Sequence, residues 1–188
     1  CWGACQPVAG ALADRYGSGK TLALGTLLYA AGVLIMAFTA DPLTLHLSAG
    51  VLVGLGLAGS SVGIVLAAVS RTVPEERRSR SLGLVMAAGS LGQFLMVPLG
   101  QTLLGALGWS TALLFLGLGV LLVTPLAVVL TGRPEETGPS QSVVDALGEA
   151  GRHGSYWLLI AGFFVCGFHV AFIAAHLPAY ITDLGFAP

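Results

Sequence analysis

Apolar residues run through this chain in long blocks, with the polar residues gathered between them. A block of about 18 or more apolar residues without charge is long enough to cross a bilayer as a helix. Residues 21–40 form the first complete block. Asp41 and Pro42 close it, because Asp favours turns and Pro cannot continue a helix. Residues 43–70 form the second, long enough to tilt. From Ser81 to Gly132 there is no charge at all, more than one crossing needs. Gly105, Gly108 and Trp109 divide that run into spans at about 81–105 and 109–131, the glycines making the turn and the Trp sitting at headgroup level. Residues 156–182 form a fifth span, and residues 1–13 read as the end of another helix. The pattern predicts an all-α polytopic membrane protein, and the partial helix at the start marks the chain as a piece of a longer one.

The charges set an orientation. All eight Lys and Arg residues fall in the first, third and fifth loops: Arg15, Lys20, Arg71, Arg77, Arg78, Arg80, Arg133 and Arg152. The second loop carries only Asp41, the fourth carries no charge, and the exit of the last span holds Asp183. Basic residues stay on the cytoplasmic side, so the odd loops are expected there.

Composition agrees. Hydrophobic residues make up 55% of the chain and charged residues 9%. A soluble domain carries about 25% charged residues, so this chain could not cover a water-soluble surface. A net charge of −1 excludes a basic field for nucleic acid. Cys1, Cys5 and Cys166 have no ligand or disulfide spacing, and no metal or cofactor is expected. Gly19, Lys20 and Thr21 mimic the end of a phosphate-binding loop. Asp14 stands where that motif needs Gly, and no strand precedes it.

Two local patterns have more than one reading. Gly50, Gly54, Ala58 and Ser61 share one helix face, which serves close packing or a sliding surface. Residues 131–155 turn polar and Gly/Pro-rich, as in a linker. Within them Val143, Val144 and Leu147 form an apolar stripe beside Asp145 and Glu149. That suits a short helix lying on the membrane surface, or a flexible linker.

The first basic loop, with Gly10, Asp14, Arg15, Gly17 and Lys20, resembles the signature loop between the second and third helices of major facilitator superfamily transporters. Gly19 stands where the pattern has a basic residue. The resemblance implies a twelve-helix fold of two six-helix halves. Residues 1–130 would belong to the N-terminal half, 131–155 to the central cytoplasmic loop and 156–188 to the seventh helix. Gly50, Gly54 and Gly56, then Arg77, Arg78, Gly83, Gly89 and Gly92, resemble the monocarboxylate-transporter and oxalate/formate branch. Phe168, His169, Phe172, His176, Pro178 and Tyr180 resemble the seventh helix of its bacterial members. The branch implies the inner (plasma) membrane of a bacterium. The antiporter signature of the fifth helix is matched only loosely by Gly89, Pro98 and Gly100, which favours symport or uniport.

Polar groups deep in an apolar span are costly without a partner, so the few present are candidate working residues. His169 and His176 are seven apart and share a face that Tyr180 continues. They are candidates for binding substrate or a coupling proton; the competing role is a neutral His bonded to a neighbouring helix. Gln93 is a further candidate, or an interhelical hydrogen bond. Ser60 and Ser61 are weaker ones, and His46, at the outer end of its span, reads as interfacial. Pro178 is a candidate hinge or a bent helix end. Gly10, Asp14, Arg15, Gly17, Arg71, Arg77 and Arg78 make a candidate inner latch, in which Asp14 accepts from an Arg or a helix N-terminus and Gly10 permits close helix contact. The basic residues also satisfy the orientation rule by themselves. The expected function is secondary transport of a small organic anion such as a monocarboxylate by alternating access, with a possible co-transported proton. A non-transporting sensor on the same fold competes with it. An enzyme is not expected, since no span offers a convergent catalytic set.

Overall fold

The structure, a computed structural model, describes residues 1–129 and 143–185. Residues 131–142 of the expected linker therefore lie outside the described residues, and 143–155 lie within them. The chain divides into two units, Cys1–Ser140 and Gln141–Pro188.

The first unit is built from α1 (Trp2–Tyr16), α2 (Ser18–Phe38), α3 (Pro42–Leu45), a π-helical turn (His46–Leu52), α4 (Val53–Gly59), α5 (Val62–Thr72) and α6 (Glu75–Val129). Four stretches among the described residues are long and apolar enough to cross a membrane: Ser18–Phe38, Pro42–Thr72, Glu75–Ala127 and Gly154–Asp183. The third is broken at Gly108, whose φ of 75° and ψ of 169° only glycine adopts readily.

Helix α2 is the centre of this unit, packed by α1, α4 and α6. Its contacts fix direction. Tyr29 faces Gly56 and Gly25 faces Gly59, so α4 runs antiparallel to α2. Gly117 meets Val33 and Leu34, and the Ser110 hydroxyl donates to the Ala37 carbonyl, so residues 109–129 also run antiparallel to α2. The Ser110 bond satisfies a carbonyl in the last turn of α2, which has no partner within its own helix. The buried cluster is made of small or aliphatic side chains: Ala9, Ala13, Leu22, Ala58, Ile64 and Ala127. In lipid, such residues let backbones approach and supply packing where water supplies no drive.

The stretch between residues 42 and 72 is not one uninterrupted α-helix. Asp41 caps its start: Oδ2 accepts from the Thr44 backbone N–H at 2.9 Å and from the Thr44 hydroxyl at 3.0 Å, with Pro42 in the first turn. The π-helical turn follows. The Ser48 hydroxyl, buried there, donates to the Thr44 and Leu45 carbonyls at 2.7 and 3.2 Å. Such turns free backbone groups, and in a bilayer Ser side chains re-satisfy them. A second interruption lies at Ser60 (φ −105°, ψ 22°) and Ser61 (φ −65°, ψ 148°).

The small-residue face divides differently from the expected one. Gly56 and Gly59 approach α2, Gly54 approaches Cys1 of the α1 end, and a side chain at Gly50 would meet nothing within 4 Å. The π-helical turn, which bonds i to i+5 rather than i to i+4, winds more residues into each turn and so rotates Gly50 away from the face that follows it.

Asp41 yields a pH prediction. The Thr44 backbone N–H, and then its hydroxyl, hold the Asp41 carboxyl below its usual value of 3.8. A depressed folded pKa stabilises above the unfolded pKa and is lost as pH falls through the folded value. Thermal unfolding of the detergent-solubilised protein should lose a small increment of stability below about pH 4. Asp41→Asn should lack that increment while keeping a cap. The same acid dependence in Asp41→Asn would refute the assignment.

The second unit consists of α7 (Val143–Gly151) and α8 (Gly154–Asp183). Arg152 and His153 join them, and the Trp157 indole N–H donates to the Gly151 carbonyl at 2.9 Å.

Candidate functional site: the basic end of the first unit and the polar face of α8

The first loop owes its shape to Gly17. Its φ of 95° and ψ of 142° end α1 and start α2 within one residue. Residues with a Cβ avoid that region at a cost of roughly 1–3 kcal/mol. The Gly17 N–H donates to the Ala13 carbonyl at 3.0 Å. The Gly17 carbonyl accepts from the Thr21 N–H at 3.3 Å and the Thr21 hydroxyl at 3.2 Å. One residue thus closes the first helix and anchors the second. It starts α2 at Ser18, earlier than the apolar run at residue 21, so Lys20 lies in a helical first turn.

That turn sets Asp14 on the last turn of α1. Arg71 lies in the last turn of α5, and its Nη2 donates to Asp14 Oδ1 at 2.6 Å. Of the arginines weighed for this role, Arg71 is the one the structure pairs. Arg77 and Arg78 sit exposed in the first turn of α6 and make no ion pair among the described residues. Arg15 lays its guanidinium over the Tyr16 ring at 5.4 Å. Gly10 is not at a close helix contact: a side chain there would meet nothing within 4 Å. Asp14 and Arg71 have side-chain exposures of 67% and 38%. The pair is therefore worth about 0.2–1 kcal/mol, since water screens it and two long side chains are ordered by it.

Helix α5 hangs between this ion pair and the break at Ser60–Ser61. The Ser60 N–H and hydroxyl both return to the Gly56 carbonyl, at 2.9 and 2.8 Å. The α5 ladder restarts on the Ser61 carbonyl, which accepts from Ile64 at 3.1 Å. The break lies against α2: a Cβ on Gly25 would come within 2.5 Å of the Gly59 carbonyl carbon and 2.6 Å of the Ser60 nitrogen. Only glycine at position 25 leaves room for the two backbones. His46 bonds within its own turn, Nδ1 to the Pro42 carbonyl at 2.6 Å.

On α8, His169 Nδ1 lies 3.1 Å from the Val165 carbonyl. A carbonyl only accepts, so Nδ1 is the donor in this contact, and the tautomer of the neutral ring that makes it keeps Nε2 as the acceptor. His176 packs on Phe172 with ring centroids 4.6 Å apart. It ends a ladder the sequence reading missed: Phe164 on Phe168 at 6.3 Å and Phe168 on Phe172 at 5.9 Å. The i,i+4 spacing of 164, 168, 172 and 176 was the available signal. Tyr180 is exposed on the same helix, and Gln93 is exposed on α6. The helical backbone continues through position 178 to Asp183, and the Pro178 side chain lies outside the described residues. Among the described residues no group of three metal-ligating side chains occurs.

Comparison with known proteins supplies the family. The family model of the Major Facilitator Superfamily matches residues 2–188. Monocarboxylate transporter 11 of Homo sapiens is 35% identical over 153 residues, which cover 77% of this chain and 31% of that protein. Monocarboxylate transporter 13 of Bos taurus is 31% identical over 192 residues, 97% of this chain and 43% of that protein. Monocarboxylate transporter 3 of Gallus gallus is 33% identical over 116 residues, 62% of this chain and 21% of that protein. This chain spans less than half the length of these relatives. A match over all but its first residue, on a chain of apolar helices joined by a glycine turn at Gly17, makes this an all-α integral membrane protein that belongs to the Major Facilitator Superfamily.

Proposed function

We propose that the full-length protein is a secondary active transporter that moves a small organic anion such as a monocarboxylate by alternating access. The observation that carries this reading is the Asp14–Arg71 pair, which joins the ends of α1 and α5 at 2.6 Å beside the Gly17 turn. Such folds rock one half against the other around a site near the bilayer midplane. In this reading α1 to α6 supply helices two to six, and α8 supplies helix seven. Helix α5 is an arm pivoting at Ser60–Ser61, and the ion pair latches its inner end. Opening breaks an exposed contact of about 1 kcal/mol or less, a cost suited to a state that must open and close.

The names of the relatives support the substrate class. We assign substrate and proton handling to His169, with His176, Tyr180 and Gln93 as secondary candidates. Its Nδ1 is committed to the Val165 carbonyl, so a proton arriving at Nε2 makes the ring a cation that attracts a carboxylate. Transport is symport with a proton, and the protein is a carrier rather than an enzyme. The basic end faces the cytoplasm, as the positions of the Lys and Arg residues support. The seventh-helix residues support the inner (plasma) membrane of a bacterium, although the relatives compared are animal proteins.

The test is uptake of labelled monocarboxylates by full-length protein in proteoliposomes with a pH gradient. Accumulation driven by the gradient is expected. Absence of both uptake and exchange in correctly inserted protein would overturn the reading. In the same assay His169→Gln, which bonds but does not titrate, should keep exchange and lose pH-driven accumulation. Full wild-type pH dependence in that variant would make His169 a packing residue.

A further inference from the structure

We propose that α7 is an interfacial helix: its Val144 and Leu147 side sits among the headgroups and upper acyl chains of the leaflet where α8 begins, and Asp145, Glu149 and Arg152 face water. Helix α8 is long and apolar enough to cross a bilayer. Only Arg152 and His153 separate it from α7. Two residues reach about 7 Å at full extension, so α7 stays at the surface that α8 enters. The turn has less slack than that. Arg152 N–H donates to the Glu149 carbonyl at 3.1 Å, His153 N–H to Ala150 at 3.0 Å, and Tyr156 N–H to His153 at 3.0 Å. The Trp157 indole then ties α8 to the Gly151 carbonyl at 2.9 Å. Trp is a residue of the bilayer edge, so this bond sets the end of α7 at headgroup depth.

Helical spacing sorts the α7 side chains. Val144 and Leu147 lie three apart on one side, whereas Asp145, Glu149 and Arg152 lie four and three apart on another. Val144 is 76% and Leu147 45% exposed, which is costly in water and favourable at an acyl boundary. Interfacial helices commonly add basic residues that attract anionic lipid. Here two acids face one Arg between residues 144 and 152, so the partner is an uncharged or zwitterionic lipid surface held by apolar contact.

The experiment uses the full-length, cysteine-free protein with one nitroxide-labelled cysteine at 144, 145, 147 or 149, in phosphatidylcholine vesicles. Collision with dissolved oxygen is compared with collision with an aqueous nickel chelate. Labels at 144 and 147 should favour oxygen and those at 145 and 149 nickel, and adding phosphatidylglycerol should leave the pattern unchanged. Nickel preference at all four positions would overturn the proposal in favour of a solvated linker. Protection of 144 and 147 from both reagents would overturn it in favour of a protein partner. A pattern that appears only with phosphatidylglycerol would overturn the assignment to a neutral surface. Trp157→Phe should raise nickel access at 147; unchanged access would overturn the role given to the indole.

Discussion

On the proposed transport function, Asp14→Asn is expected to lower transport by the full-length protein roughly fivefold while leaving membrane insertion at the wild-type level. The figure follows from the exposure of the pair. A solvent-screened ion pair contributes about 1 kcal/mol at most, which biases a two-state equilibrium roughly fivefold. A buried pair would have predicted a folding defect instead. Asn keeps the size of Asp14 and removes the charge that Arg71 approaches to 2.6 Å. Arg71→Gln should reproduce the phenotype, and Asp14→Arg combined with Arg71→Asp should recover part of the rate. Arg77→Gln and Arg78→Gln should have smaller effects, since neither meets a carboxylate among the described residues. Initial uptake rates at matched protein content measure this directly. Wild-type rates in Asp14→Asn would remove the latch from the mechanism, and loss of rate without recovery in the exchanged pair would give Asp14 a role independent of Arg71.

Much of the architecture was legible because apolar length and charge position are one-dimensional signals. The turn at Gly17 was readable from a glycine between a basic helix end and an apolar run. Asp14 was readable as an acceptor at a place where helix ends gather. Which arginine it would take was not, because Arg71, Arg77, Arg78 and Arg80 crowd one loop. Only the geometry of α5, which carries Arg71 to the end of α1, separates them. The interruptions in residues 42–72 were hidden for a different reason. His46–Leu52 has no Pro, so nothing local announces a π-helical turn. Ser60 and Ser61 are tolerated in membrane helices, and the break there is fixed by α2, whose Gly25 lets the Gly59 backbone in. The α8 histidines were legible as polar groups in an apolar run. The backbone bond that leaves His169 Nε2 as acceptor had no signature beyond the i−4 position of Val165.

The same contact between α2 and α4 carries the largest stability effect. Gly56→Ala should fail to insert stably, or unfold readily in mild detergent, whereas Gly50→Ala should behave as wild type. A Cβ at position 56 would lie 2.5 Å from the Tyr29 nitrogen, 2.6 Å from its Cα and 2.7 Å from its Cβ. Two of those atoms are backbone in the middle of α2, so no rotamer change relieves the overlap. The helices must separate. Overpacking of this kind costs about 1–3 kcal/mol and occasionally more. Here the separation also loosens the Gly25–Gly59 and Gly32–Val53 contacts along the same seam. At Gly50 nothing lies within 4 Å, and alanine is the better helix former by roughly 0.8–1 kcal/mol. Yield of monodisperse protein and detergent unfolding midpoints distinguish the two. Equal stability of Gly56→Ala and Gly50→Ala would show that α2 and α4 do not approach through Gly56. Rescue of Gly56→Ala by trimming the Tyr29 ring would not be expected, because the colliding atoms are its backbone nitrogen, Cα and Cβ and not the ring. A shift of that kind would instead place the contact on the Tyr29 ring and relax the backbone approach that positions the Ser60–Ser61 break.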